Sequence, residues 1–225
     1  MQSVSFANES AQPLSSDSSI PSSRNPQKIY FLRFAAIFAF VFCVTLVLCI
    51  FFVISPDDKT SAIISSYMRN PFAPCVYFAD YVSVIFGAAA SDMLQLLAVL
   101  ILGFTLFSAL SCSAIVIYRG FSLGICVSYL SSFLLTQNAG AGKIAMAWIF
   151  AASYILSTLC VCMFAAASCS LSRKIKANMP LKNGKSTIKK TAKSAAAHTV
   201  KFLTLGGQII LIKAAQLVLY ALIAG

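Results

Sequence analysis

The sequence predicts an all-α, polytopic membrane protein with five transmembrane helices, and three observations predict it. The 225 residues are 59% hydrophobic and only 10% charged, outside the ordinary range for soluble domains. Long apolar runs such as Ile144–Leu171 and Phe202–Ala224 exceed the roughly 20 residues needed to cross a bilayer. Between those two runs, residues 172–201 carry nine Lys/Arg and no Asp or Glu. Short loops of that kind stay on the cytoplasmic side of a membrane, so this stretch orients the chain.

Residues 1–28 hold nine serines and three prolines and read as a disordered cytoplasmic tail. Arg24, Lys28 and Arg33 then introduce the first span, residues 34–54. It is longer than a signal-peptide core and no A-x-A cleavage site follows, so it reads as uncleaved. Ser55-Pro-Asp-Asp ends it, and residues 55–91 form the longest external stretch. Within that stretch, 72–90 is apolar enough for a helix, with Asp80, Ser83 and Gly87 recurring at helical spacing. Loop charge decides its reading as an interfacial or re-entrant helix. With five spans, 13 Lys/Arg lie inside and three outside, whereas a sixth span would leave four inside and 12 outside.

The remaining spans follow from the apolar runs. The second is 93–118, with Arg119 marking a short cytoplasmic turn, and the third is 120–136. Residues 137–143, Gln-Asn-Ala-Gly-Ala-Gly-Lys, read as a tight external turn in which Gly and Asn supply positive φ. The fourth span is 144–171 and the fifth 202–224, so 29–225 forms one membrane domain with the N-terminus inside and the C-terminus outside. Within the orienting basic loop, Arg173, Lys174, Lys176, Lys189 and Lys190 are the principal charges, and 185–201 could form an amphipathic surface helix.

Few residues suggest chemistry. His198, the single histidine, falls in the basic loop and is expected to be solvated. The six acids, Glu9, Asp17, Asp57, Asp58, Asp80 and Asp92, give no pair deep in a span, and H-E-x-x-H and G-x-S-x-G are absent. The phosphate-loop fragments at Gly140–Lys143 and Asn183–Ser186 lack required positions. The expectation is a non-enzyme with no catalytic residue, no metal and no cofactor. The net charge of +11 lies beside membrane spans, which points to lipid rather than nucleic acid. Seven of the eight cysteines fall in or beside spans, which argues against a disulfide framework.

Two features stand out inside the spans. Gly120-x-x-x-Gly124, continued by Ser128, forms a small-residue face suited to close helix packing, within the chain or in a homo-oligomer. Lys213 lies at the midpoint of the fifth span, where a charge costs about 2.5–3.5 kcal/mol on insertion scales. Gly206, Ile209, Lys213, Gln216 and Tyr220 share one narrow arc, giving that helix a buried polar side. The lysine is expected either to pair with Asp80 or Asp92 or to line a substrate or ion pathway.

The segment Ile117-Tyr-Arg-Gly-Phe-Ser-Leu-Gly-Ile-Cys-Val-Ser-Tyr-Leu130 resembles the stage II sporulation protein M family. That family has a basic-Gly-hydrophobic-hydrophobic-hydrophobic-Gly segment at the start of its third span. Its long fourth span ends in Ser and Arg/Lys, as Ser168–Lys174 does here. The resemblance covers about residues 30–225, with Ser, Cys and Ala replacing much of the family's Leu, Ile and Val. It implies five spans, a bacterial inner-membrane location and a role in engulfment during endospore formation. Members of the family are thought to hold cell-wall hydrolases at the septal membrane without being hydrolases themselves. The alternative left open by the residues is a permease-like subunit with Lys213 in its pathway.

Overall fold

In a computed structural model, residues 26–53, 78–105, 107–136, 141–178 and 184–224 are described. They form five helices: α1 (Pro26–Val53), α2 (Phe78–Leu102), α3 (Ser108–Thr136), α4 (Ala141–Asn178) and α5 (Gly184–Ala224). Each is long and apolar enough to cross a membrane, and there is no strand among the described residues. The protein is therefore an all-helical, multi-pass membrane protein.

The helices run differently from the sequence-based spans in the second and third positions. Of residues 72–90, expected to form an interfacial or re-entrant helix, 78–90 are the first half of α2 and 72–77 lie outside the described residues. The reversal begins at Gly103, after the end of α2, and not at Arg119, which lies inside α3. The reversal is made by small local devices rather than by the usual polar turn residues. Gly103 N–H donates to the Val99 carbonyl at 2.9 Å, and the Thr105 N–H and hydroxyl both donate to the Leu102 carbonyl at 3.0 and 2.7 Å. These bonds satisfy carbonyls at the end of α2, which glycine commonly terminates.

The basic segment is also helical where it is described. Arg173, Lys174 and Lys176 extend α4, while Lys189 and Lys190 belong to α5. Of the expected external turn, 141–143 is the start of α4. The 1–25 part of the expected tail, most of the external stretch before residue 78, and residues 137–140 and 179–183 lie outside the described residues.

Helix α4 is the centre of the bundle and packs against all four others. Its sequence allows this. Cys160, Cys162, Ala165, Ala166, Ala167, Ser168 and Cys169 are all buried, and such small side chains let neighbouring backbones approach closely. Leu96 and Val99 from α2, Cys112 and Val116 from α3, and Leu205 and Ile209 from α5 fill the spaces between. The outer faces expose Phe86, Leu110, Trp148, Leu211 and Leu222. In water that would be costly, and in a bilayer it is the lipid-facing surface.

Helix α1 packs against α3 and α4. The Gly120/Gly124 face meets it within the chain. A Cβ added at Gly124 would lie 2.6 Å from Thr45 Cβ, and one at Gly120 would lie 3.0 Å from the Phe38 carbonyl oxygen. Ser128, one turn further, is buried and donates its hydroxyl to the Gly124 carbonyl at 2.8 Å.

A candidate intramembrane charge network

Near the middle of α2, α3 and α4 lies a layer of buried polar side chains. Arg119 is its centre and is 0% exposed. Nε donates to Gln95 Oε1 at 2.6 Å, and NH1 donates to Ser157 Oγ and Thr158 Oγ1, each at 3.1 Å. NH2 donates to Asp92 Oδ1 in a close ion pair. The two hydroxyls are held in place to accept, because both donate their own protons to the Tyr154 carbonyl, at 3.0 and 2.8 Å. The Tyr154 ring lies 5.6 Å from the guanidinium carbon, a cation–π contact.

Lys213 completes the layer from α5 and is 3% exposed. Its ammonium nitrogen donates to Ser153 Oγ at 3.2 Å and lies 3.6 Å from Asp92 Oδ2. Ser153 in turn donates to Gln216 Oε1 at 2.7 Å. Asp92, one of the two partners expected for Lys213, therefore lies beside it. All five residues of the expected arc, from Gly206 to Tyr220, are buried. The Tyr220 hydroxyl donates to the Met146 carbonyl at 3.0 Å.

The layer thus holds two cationic side chains and one carboxylate. The carboxylate is shared unequally. Oδ1 is bonded to Arg119, whereas Oδ2 is buried and accepts no hydrogen bond, with Lys213 at ion-pair distance only. Removing charges from water is repaid only when geometry and hydrogen bonding are good. Arg119 meets that condition with four acceptors, and Lys213 meets it less completely.

The sequence pattern hides most of this. Asp92 and Gln95 are three residues apart on α2, which puts them on one helix face. Ser153, Ser157 and Thr158 recur at four- and five-residue steps on α4. Those spacings were available as signals. Arg119 does not stand out, because Arg-Gly between two apolar runs looks like a charged turn. In a continuous helix it is a mid-span arginine.

A second polar cluster lies at the rim of the bundle, by the α2–α3 reversal. His198, expected to be solvated, is 3% exposed. Its ring stacks on Phe164 with centroids 4.6 Å apart and meets Phe104 edge-on at 5.9 Å. Nε2 lies 3.1 Å from Ser168 Oγ. That hydroxyl donates to the Phe164 carbonyl at 2.9 Å, so the hydrogen between the two belongs to Nε2. A Cβ at Gly103 would lie 3.0 Å from both His198 Nε2 and Ser168 Cβ. Nearby, Ser172 donates to the Thr105 carbonyl at 2.7 Å, tying α4 to the reversal. Buried Ser108 also contacts the Cys112 and Cys169 sulfurs at 3.9 and 3.8 Å. The seven described cysteines are all free thiols.

Comparison of the chain with protein-family models, with curated proteins and with solved structures gave no match.

Proposed function

We propose that this chain is an integral scaffold of the bacterial inner membrane, anchoring peptidoglycan-degrading partners for septal-membrane migration during endospore formation. The observation that carries the scaffold part is the internal use of Arg119. Its three nitrogens are committed to four side chains on α2 and α4, so the central charge locks three helices together instead of facing a passage. A rigid bundle with apolar outer faces suits a protein whose work is to hold others in the plane of the membrane. The engulfment part rests on the resemblance around Arg119–Gly124, although here that segment lies in the middle of the third helix. In the proposed orientation the N-terminus and the basic ends of α4 and α5 face the cytoplasm.

Affinity purification of the full chain from sporulating cells tests this reading. The expected result is co-purification of cell-wall hydrolases, lost in Gly124→Leu, where α1 and α3 can no longer meet. Recovery of no such enzyme, or of a transport ATPase in its place, sinks it. Purified protein should release no fragments from isolated cell wall.

One observation favours a second reading, a permease-like subunit. Asp92 Oδ2 and Lys213 form the loosest contact of the layer, and mid-membrane ionisable groups often mark pathways. Lys213→Met separates the two. Normal abundance with intact partner binding fits the scaffold, while normal abundance with lost solute uptake fits the permease.

A further inference from the structure

The exposed cations of the described residues gather at one end of the bundle. Lys28 and Arg33 lie on α1, Arg173, Lys174 and Lys176 on α4, and Lys193 and Lys201 on α5, all exposed. That these belong to the same end follows from contacts between the helices. Arg173 lies over the Tyr30 ring, 4.9 Å from its centroid, which brings α4 beside the start of α1. His198 and Ser168 join α5 to α4 one turn away.

Two facts say what this end faces. The first is the shortage of partners. The sequence after Asp92 contains no Asp or Glu, and neither does α1. The helices that carry these cations therefore offer no carboxylate to pair with them. The second is depth. Ser157 and Lys213 mark the central layer. Arg173 is 16 residues beyond Ser157 on α4, roughly 24 Å along a helix, and Lys201 is 12 residues from Lys213, roughly 18 Å. A hydrocarbon core about 30 Å thick, or about 40–45 Å with its headgroups, centred on that layer puts Lys201 within the headgroup layer and Arg173 at its outer edge.

We propose that this end is a collar for anionic phospholipids, in which Arg33, Arg173, Lys174 and Lys201 hold phosphodiester headgroups of one leaflet. Arginine presents a planar fork that matches two phosphate oxygens, and stacking on Tyr30 fixes the plane of Arg173 before lipid arrives. The lysines add point charges around it, and basic clusters beside a membrane attract anionic lipid in this way. The collar does not depend on the scaffold reading, since it concerns lipid and not a protein partner.

The test uses the full chain in detergent, exchanged against phosphatidylcholine and phosphatidylglycerol and then examined by native mass spectrometry. The wild type should retain phosphatidylglycerol several-fold over phosphatidylcholine, and added salt should erase the preference. The variant Arg33→Gln, Arg173→Gln, Lys174→Gln, Lys201→Gln should lose that preference, with an unchanged unfolding midpoint in pure phosphatidylcholine nanodiscs. Lys193→Gln, eight residues further out on α5, should keep it. Equal retention of the two lipids by the wild type overturns the collar. So does a four-site variant that keeps the preference, or inorganic phosphate that competes as well as the lipid does.

Discussion

The layer around Arg119 and the cluster around His198 are both buried and polar, yet they are built from opposite materials. The central layer is ionic, with two cations and a carboxylate drawn from α2, α3 and α5. The rim cluster is a neutral bond between His198 and Ser168, sealed by aromatic rings and by the missing side chain of Gly103. Its charged neighbours, Arg173 and Lys201, point outward. Depth explains the difference. At mid-membrane neither water nor headgroups can reach a charge, so every charge needs a protein partner. At the rim a charge can turn toward the headgroups, and what stays inside can be neutral and closely fitted.

The sharpest way to break this contrast is to remove the shared anion. Asp92→Asn leaves both Arg119 and Lys213 without a carboxylate, and stranding a buried charge costs about 3–5 kcal/mol. Abundance in membranes should fall steeply. Adding Lys213→Met to that variant should recover part of the loss, because Arg119 keeps Gln95, Ser157 and Thr158. Near-normal stability of the single variant would mean that the layer does not depend on its carboxylate.

At the rim the expected effect is smaller and steric. Gly103→Val drives a branched side chain into His198 and Ser168, and overpacking commonly costs about 1–3 kcal/mol. A lowered unfolding midpoint in detergent, independent of salt, is the expected outcome. A salt-dependent loss would show that the rim is electrostatic after all. The smallest effect is expected for Lys213→Met, where the Arg119–Asp92 pair survives and a poorly compensated charge is removed. Its stability change should be about zero or slightly favourable. A large loss, measured by the same unfolding assay, would promote Lys213 to an equal member of the layer.

Much of the bundle was legible in the sequence. Apolar length marks α1, α4 and α5, and the arc from Gly206 to Tyr220 anticipates the buried face of α5. The α2–α3 boundary was not legible, for a physical reason. Gly103, Phe104 and Thr105 turn by backbone and threonine hydrogen bonds and include no Pro, Asn or charge. Sixteen residues after Gly103, Arg119-Gly120 imitates a turn, because a lone mid-helix arginine is improbable until its partners are known. Those partners are remote. Asp92 and Thr158 are 27 and 39 residues away, so periodicity along one helix cannot reveal them. The burial of His198 is hidden for the same reason, since its ring partners come from α4 and from the α2–α3 reversal.

The position of Arg119 also constrains how the protein can be made. As α3 emerges during synthesis, Asp92 and Gln95 on α2 already exist, but Ser157 and Thr158 do not. Helix α3 alone would enter lipid with a mid-span guanidinium, at about 2.5–3.5 kcal/mol on insertion scales. It therefore has reason to leave the insertion machinery already paired with α2, and to settle only when α4 arrives. A nascent chain stopped before residue 157 should remain crosslinkable to that machinery, and one carrying α4 should be released.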